Sequence, residues 1–155
     1  MLTAATSETL PPGHDESWPL VGTLDLRAAP DAVPRGRHFA GNALHRWNFP
    51  GQMIDDVEVV TNELVTNAVQ ACLRNDLRSV RPVVLTIRSN FGSVVVEVTD
   101  PVAEPPQPRG RVLGDDDAEG GRGLNIVAFF SNSWGYYTLT AGKSVWAFFQ
   151  RYTDE

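Results

Sequence analysis

A single cysteine, Cys72, occurs in the 155 residues. That scarcity excludes an internal disulfide and any metal centre built on several thiolates, and it predicts a reducing, cytoplasmic setting. Long apolar runs are absent, so no membrane-spanning helix is expected. The first nineteen residues carry no Lys or Arg and no sustained apolar block, a pattern that matches neither a signal peptide nor a transit peptide. Their Pro, Gly, Ser and Thr predict a disordered tail over residues 1–19. Basic charge is also scarce. At a net charge of −6 the chain lacks the general positive surface that nucleic-acid phosphates demand, and no direct nucleic-acid partner is expected. What remains is an ordinary apolar content, 42 %, enough for the modest core of one globular domain.

Periodicity supplies the elements. Leu20, Gly22, Leu24 and Leu26 alternate with Val21, Thr23, Asp25 and Arg27 as in a strand. Asp31 is placed to cap a helix whose apolar positions Val33, Phe39, Ala40, Ala43, Leu44 and Trp47 recur at helical spacing. Pro50-Gly51 breaks it, and a second helix begins near Gln52 with an apolar stripe at Ile54, Val57, Val60, Leu64, Ala68 and Ala71. Val83 to Arg88 and Ser93 to Thr99, split by Ser89-Asn90-Phe91-Gly92, read as a hairpin, and Asp100-Pro101 ends its second strand. Val102 to Gly120 is rich in Pro and Gly and has no period, which predicts a long mobile loop. Gly121-Arg122-Gly123 then opens a helix to about Phe130, and strands near Trp134 to Thr140 and Lys143 to Tyr152 follow around Ala141-Gly142.

Glu63 and Asn67 stand four apart on the second helix, in Glu63-Leu64-Val65-Thr66-Asn67, so they share a flank bordering the apolar stripe. One is a carboxylate able to act as a base, and the other carries an amide oxygen suited to Mg²⁺. Downstream come Asp100 at a strand end and the run Gly121-Arg122-Gly123-Leu124 at a helix start. A Rossmann reading of those glycines fails, because the third glycine and the repeating strand-helix-strand frame are missing. His14, His38 and His45 have no metal-ligand spacing, and the run Asp115-Asp116-Asp117 reads as a solvated loop segment.

In this order Glu63, Asn67, Asp100 and Gly121-Arg122-Gly123-Leu124 resemble the ATPase superfamily shared by type II topoisomerases, heat-shock chaperones, mismatch-repair ATPases and histidine kinases. The resemblance covers roughly residues 20–152 and is nearest to the anti-sigma-factor serine kinases and related regulatory ATP-binding domains. It implies an α/β (α+β) two-layer sandwich of the Bergerat type: a mixed, mostly antiparallel sheet with helices on one face and a mobile lid over about residues 102–120. It implies ATP and Mg²⁺ as cofactors. Glu63 would activate an attacking hydroxyl, Asn67 would bind Mg²⁺, and Asp100 would accept a hydrogen bond from the adenine amino group. Gly121, Arg122, Gly123 and Leu124 would approach the phosphates, with Arg122 either touching one or solvated. Ser144 would help to hold the adenine edge. Where the family often continues Asp-x-Gly, this chain has Val102, a departure that predicts low nucleotide affinity.

The expected activity is a serine/threonine protein kinase of the anti-sigma type, with a sigma factor and an antagonist protein as partners. Two alternatives stand beside it: a non-catalytic ATP-binding partner switch, and a nucleotide-free interaction domain that retains only the fold. Arg35, Arg37, His38, His45 and Arg46 on and beside the first helix read as a solvated face; the alternative is a docking face for an acidic partner or for a second copy of the chain in a homodimer.

Overall fold

Alternating residues sort each strand onto two faces of one sheet, and the computed structural model, which describes residues 8–77, 81–106 and 119–152, shows what each face meets. In chain order the elements are β1 (Leu20–Leu26), α1 (Ala32–Arg46), α2 (Gly51–Arg74), β2 (Val83–Ser89), β3 (Ser93–Asp100), α3 (Glu119–Phe130), β4 (Ser133–Leu139) and β5 (Gly142–Gln150). The strands lie in the order β1-β2-β3-β5-β4. The mostly antiparallel sheet that was expected is found: among the described residues each of the four ladders, β1–β2, β2–β3, β3–β5 and β4–β5, is antiparallel.

The helices share one face. Val83, Leu85 and Ile87 of β2, Val94, Val96 and Val98 of β3, and Val145, Ala147 and Phe149 of β5 pack there against Val57, Val60, Leu64 and Ala68 of α2. Burying each of the Val, Leu, Ile and Phe side chains among them contributes about 1.5–3 kcal/mol, so this layer is the main stabilising body of the domain. Asp31 occupies the N-cap position of α1 but makes no side-chain cap bond. α2 is the longest helix, and Met53, Thr61, Val65 and Cys72 are buried beside its expected stripe, because α1 and α3 flank it while the sheet lies beneath.

On the opposite face, Trp18, Val95 and Trp146 form a second small cluster. Residues 8–19, expected to be disordered from their composition, lie ordered across it. Thr9 donates its N–H to the Tyr136 carbonyl at 2.9 Å and accepts from Trp146 Nε1 at 2.8 Å. Arg88 lies 5.0 Å over the Trp18 ring and donates to the Gly13 carbonyl at 3.1 Å. An indole able to bury on the sheet and a guanidinium able to stack on it outweigh the polar composition of the segment. Residues 1–7, and residues 107–118 of the expected lid with Asp115-Asp116-Asp117, lie outside the described residues. Among those described, no helix is long and apolar enough to cross a membrane.

Candidate functional site

Where α2 crosses the ends of β3 and β5, a cleft opens between Asn67 and Arg74 on one side and Asp100 and Lys143 on the other. Leu64, Ala68, Val98 and Val145 form its apolar walls, and Pro105 and Pro106 its rim. The cleft's empty space, about 410 Å³, includes open solvent, and its cavity volume is about 20 Å³, room for about one water.

Asp100 ends β3 with its side chain on the helix face, in step with Val96 and Val98, and is 3 % exposed. Directly across the ladder stands Lys143, 4 % exposed and the chain's only lysine. Its ammonium lies 3.1 Å from Asp100 Oδ1 and 3.0 Å from Oδ2, and donates to the Val102 carbonyl at 3.1 Å. The Val102 N–H donates to Asp100 Oδ1 at 2.8 Å. Burial pushes the Asp100 carboxyl above the usual range, and the Lys143 ammonium opposes that push. The same burial, with Asp100 nearby, raises the Cys72 thiol, so that cysteine is kept protonated inside the core. Val102 itself is buried in the core, so the position where the family often has glycine here carries a packed side chain.

Asn67 presents a buried side-chain oxygen, Oδ1, with no hydrogen-bond partner among the described residues. Such an orphan acceptor costs about 1–3 kcal/mol unless something satisfies it, which makes it the group in the cleft best suited to take up a ligand. Glu63, one turn earlier, does not line this cleft. It borders a separate, wider groove with Arg37, Asp55, Glu58, Asn62 and Ile126. Arg37 is engaged there, donating to Asn62 Oδ1 at 2.8 Å, while Arg35, His38, His45 and Arg46 are exposed.

The remaining expected residues fall elsewhere. Ser144 follows Lys143 and so points to the opposite face of the sheet, where its hydroxyl donates to Glu97 Oε2 at 2.6 Å and lies 3.1 Å from Thr99 Oγ1. Asp100 and Ser144 are therefore on different sides of the sheet. Gly121, Arg122 and Gly123 sit within the first turns of α3, which starts two residues before them, and Leu124 is buried. The side chain of Arg122 lies outside the described set. Neither Gly123 nor Leu124 lines the cleft. Lys143 is the functional-site residue that the motifs miss. Its signal was parity: it shares a strand face with Val145, Ala147 and Phe149, a lone cation on an apolar face.

A two-layer fold with this cleft between α2 and the sheet defines an ATPase-like domain, and the chain belongs to a family of that class. The family model described as the histidine kinase-like ATPase domain matches residues 26–149, which makes this a nucleotide-binding type of domain. Among solved structures, the chain is similar to the RsbU and RsbW domains of Rv1364c from Mycobacterium tuberculosis, with a TM-score of 0.63 at 16 % identity over 84 % of this chain. It spans about a third, 32 %, of that longer chain. It is also similar to a chain of the SiaB-SiaC complex from Pseudomonas aeruginosa, with a TM-score of 0.58 at 17 % identity over 82 % of this chain and 88 % of that one. At these identities the likeness shows a shared fold. No curated protein matches the chain.

Proposed function

We propose that this domain binds ATP with Mg²⁺ in the cleft between α2 and the ends of β3 and β5, and regulates protein partners in the manner of anti-sigma-factor serine kinases. The observation that carries the reading is the buried, unpartnered Asn67 Oδ1, an oxygen of the kind Mg²⁺ takes, in a cleft that ends on the buried acceptor Asp100. Asp100 would take the purine amino group, and Asn67 the metal on the phosphates. Bound ATP supplies a transferable phosphoryl group. Glu63, half-buried in an open groove, is accessible to a protein hydroxyl and suited to receive its proton. That hydroxyl would be a serine of an antagonist protein, with a sigma factor as the regulated partner. The solved complex of SiaB with SiaC supports protein partners of some kind for the fold.

A second reading is favoured by one observation. Because Glu63 and Asn67 line different hollows, the domain can hold nucleotide without a base poised over it, and would then be a non-catalytic switch. Calorimetric titration of ATP with and without Mg²⁺ tests the binding: Asn67→Ala should remove the strengthening by Mg²⁺, and an unchanged Mg²⁺ effect rejects Asn67 as a ligand. Labelled ATP incubated with partners captured from the native host tests the chemistry. Glu63→Ala should abolish phosphotransfer while sparing ATP binding, and a rate within about tenfold of wild type rejects it as the base.

A further inference from the structure

The groove that Glu63 borders is built from three helices. Arg37 comes from α1, Ile126 from α3, and Asp55, Glu58, Val59, Asn62 and Glu63 from one flank of α2. Its cavity volume is about 550 Å³, against about 20 Å³ in the cleft. Two chemistries share the lining. Val59 is 38 % exposed and Ile126 half-buried, and Phe129, one turn beyond Ile126 on α3, is 80 % exposed, the most exposed large apolar side chain among those described. Asp55, Glu58 and Glu63 add three carboxylates. None of them is in an ion pair among the described residues, where the one such pair is Lys143 with Asp100. Arg37, the one cation of the lining, is turned to the Asn62 amide oxygen at 2.8 Å. Glu58 is set in place from α1: a Cβ on Gly41 would overlap its carboxylate, so the bare backbone there lets Glu58 lie along the seam between the two helices.

We infer that this groove docks a basic, amphipathic segment of a partner protein, its apolar side chains against Val59, Ile126 and Phe129 and its Lys or Arg side chains against Asp55, Glu58 and Glu63. The inference rests on the reading of the domain as a regulator of protein partners and deepens it; it holds whether or not Glu63 takes part in phosphotransfer. Charge decides the occupant. Three unpaired carboxylates around one engaged cation repel an acidic segment and draw a basic one. Shape points the same way. An open hollow between helices leaves a small molecule largely in water, whereas a helix laid into it covers the apolar lining with anchors at three- and four-residue spacing. Glu63 and Asn67 stand one turn apart on α2, about 6 Å of helix rise, so the docked segment lies beside the cleft without filling it.

The test is fluorescence anisotropy of labelled two-heptad peptides that share one helical pattern of Leu and carry Lys, Glu or Gln at every polar position, titrated with the full chain. The Lys peptide should bind at least about tenfold more tightly than the Glu peptide, and added salt should weaken it. Asp55→Asn/Glu58→Gln removes two charges and keeps side-chain shape. It should weaken the Lys peptide about threefold or more, the worth of two exposed ion pairs, while Asp15→Asn/Asp25→Asn, at exposed carboxylates outside the groove, should not. Val59→Ser/Phe129→Ser should weaken it by about tenfold or more. Wild type gives a readout that needs no folded variant. Of the chain's three isoleucines, Ile126 lines the groove and Ile87 is in the core, so on saturation with the Lys peptide the Ile126 methyl resonance should move and that of Ile87 should not. Equal affinity for the Lys and Glu peptides, no binding of the Lys peptide, a loss as large for the distant pair as for the groove pair, or an unmoved Ile126 methyl each overturns the inference. The wider reading is tested apart from it, by ATP titration and by phosphotransfer to captured partners, and neither measurement depends on these peptides.

Discussion

Two buried carboxylates, Glu97 and Asp100, stand three residues apart on β3, and the odd spacing sends them to opposite faces of the sheet. Each is held from β5, but by different chemistry. Asp100 faces an ammonium at the edge of a cleft. Glu97 faces hydroxyls, from Ser144 and from Tyr137, on the face that Trp18 and residues 9–14 cover. Neutral donors satisfy the lone pairs of Glu97 and bring no second charge that needs a partner. A cation partner is different: it compensates charge, yet whichever member a ligand engages, the other must be satisfied too. The contrast separates a carboxylate built into the scaffold from one whose pairing responds to what enters beside it.

Removing the partner breaks the contrast most sharply on the Asp100 side. Without nucleotide, Lys143→Met strands a carboxylate that is 3 % exposed, and should cost about 3–5 kcal/mol of stability. For a chain of this size each kcal/mol lowers Tm by about 2–4 °C, so thermal melting reads the effect directly. Glu97→Gln strands no cation and should cost clearly less. Equal losses for the two variants would mean that the ion pair is no more coupled than the hydroxyl network.

The parts of this fold that are legible in the sequence are those governed by a short period. Val57, Val60, Leu64, Ala68 and Ala71 of the α2 stripe are all buried, and both hairpins form where the turns Ser89 to Gly92 and Ala141-Gly142 place them. The same period-two rule, applied to β5, separates Lys143 from Ser144 and places the lysine, not the serine, beside Asp100. Motif matching overrides that parity because it matches residue type without regard to face. The seating of residues 8–19 has no local signal. Trp18 rests on Arg88, Val95 and Trp146, partners 70 or more positions away that only the folded sheet brings together. Asn67 was legible as a residue suited to a metal, but the orphaned state of its oxygen depends on what α2 packs against and could not be read from spacing.

Tyr137 probes the closed side. Burial first, and Glu97 second, push its phenol up to about 12 from an ordinary value of 10, so it stays protonated and donates to the carboxylate. The folded chain therefore keeps a proton that the unfolded chain releases between about pH 10 and 12. Stability from this group is complete below pH 10 and is lost as the pH rises through that window. Tyr137→Phe should lower stability at neutral pH by about 2 kcal/mol, the worth of one hydrogen bond to a charged acceptor, and flatten the alkaline decline. Urea denaturation midpoints from pH 8 to 12 measure both. An alkaline limb as steep as that of wild type would show that Tyr137 is not the group that responds.

The smallest expected effect decides which face Ser144 serves. Its hydroxyl donates to Glu97 and lies 3.1 Å from Thr99 Oγ1, and the strand that carries it turns that side chain away from Asn67 and Asp100. Ser144→Ala should cost about 1 kcal/mol, at the modest end for such a bond, because the Thr99 hydroxyl and Tyr137 remain as donors near the carboxylate. ATP affinity, measured by the same calorimetry as for Asn67→Ala, should stay as in wild type. A loss of stability without a loss of affinity places Ser144 with Glu97 in the scaffold. The reverse result, affinity falling while the denaturation midpoint holds, would mean that β5 rotates or slips on nucleotide binding. A slip of one residue exchanges the two faces, so Ser144 would then stand where Lys143 stands now, and the pairing of Lys143 with Asp100 would be only one of two registers available to the strand.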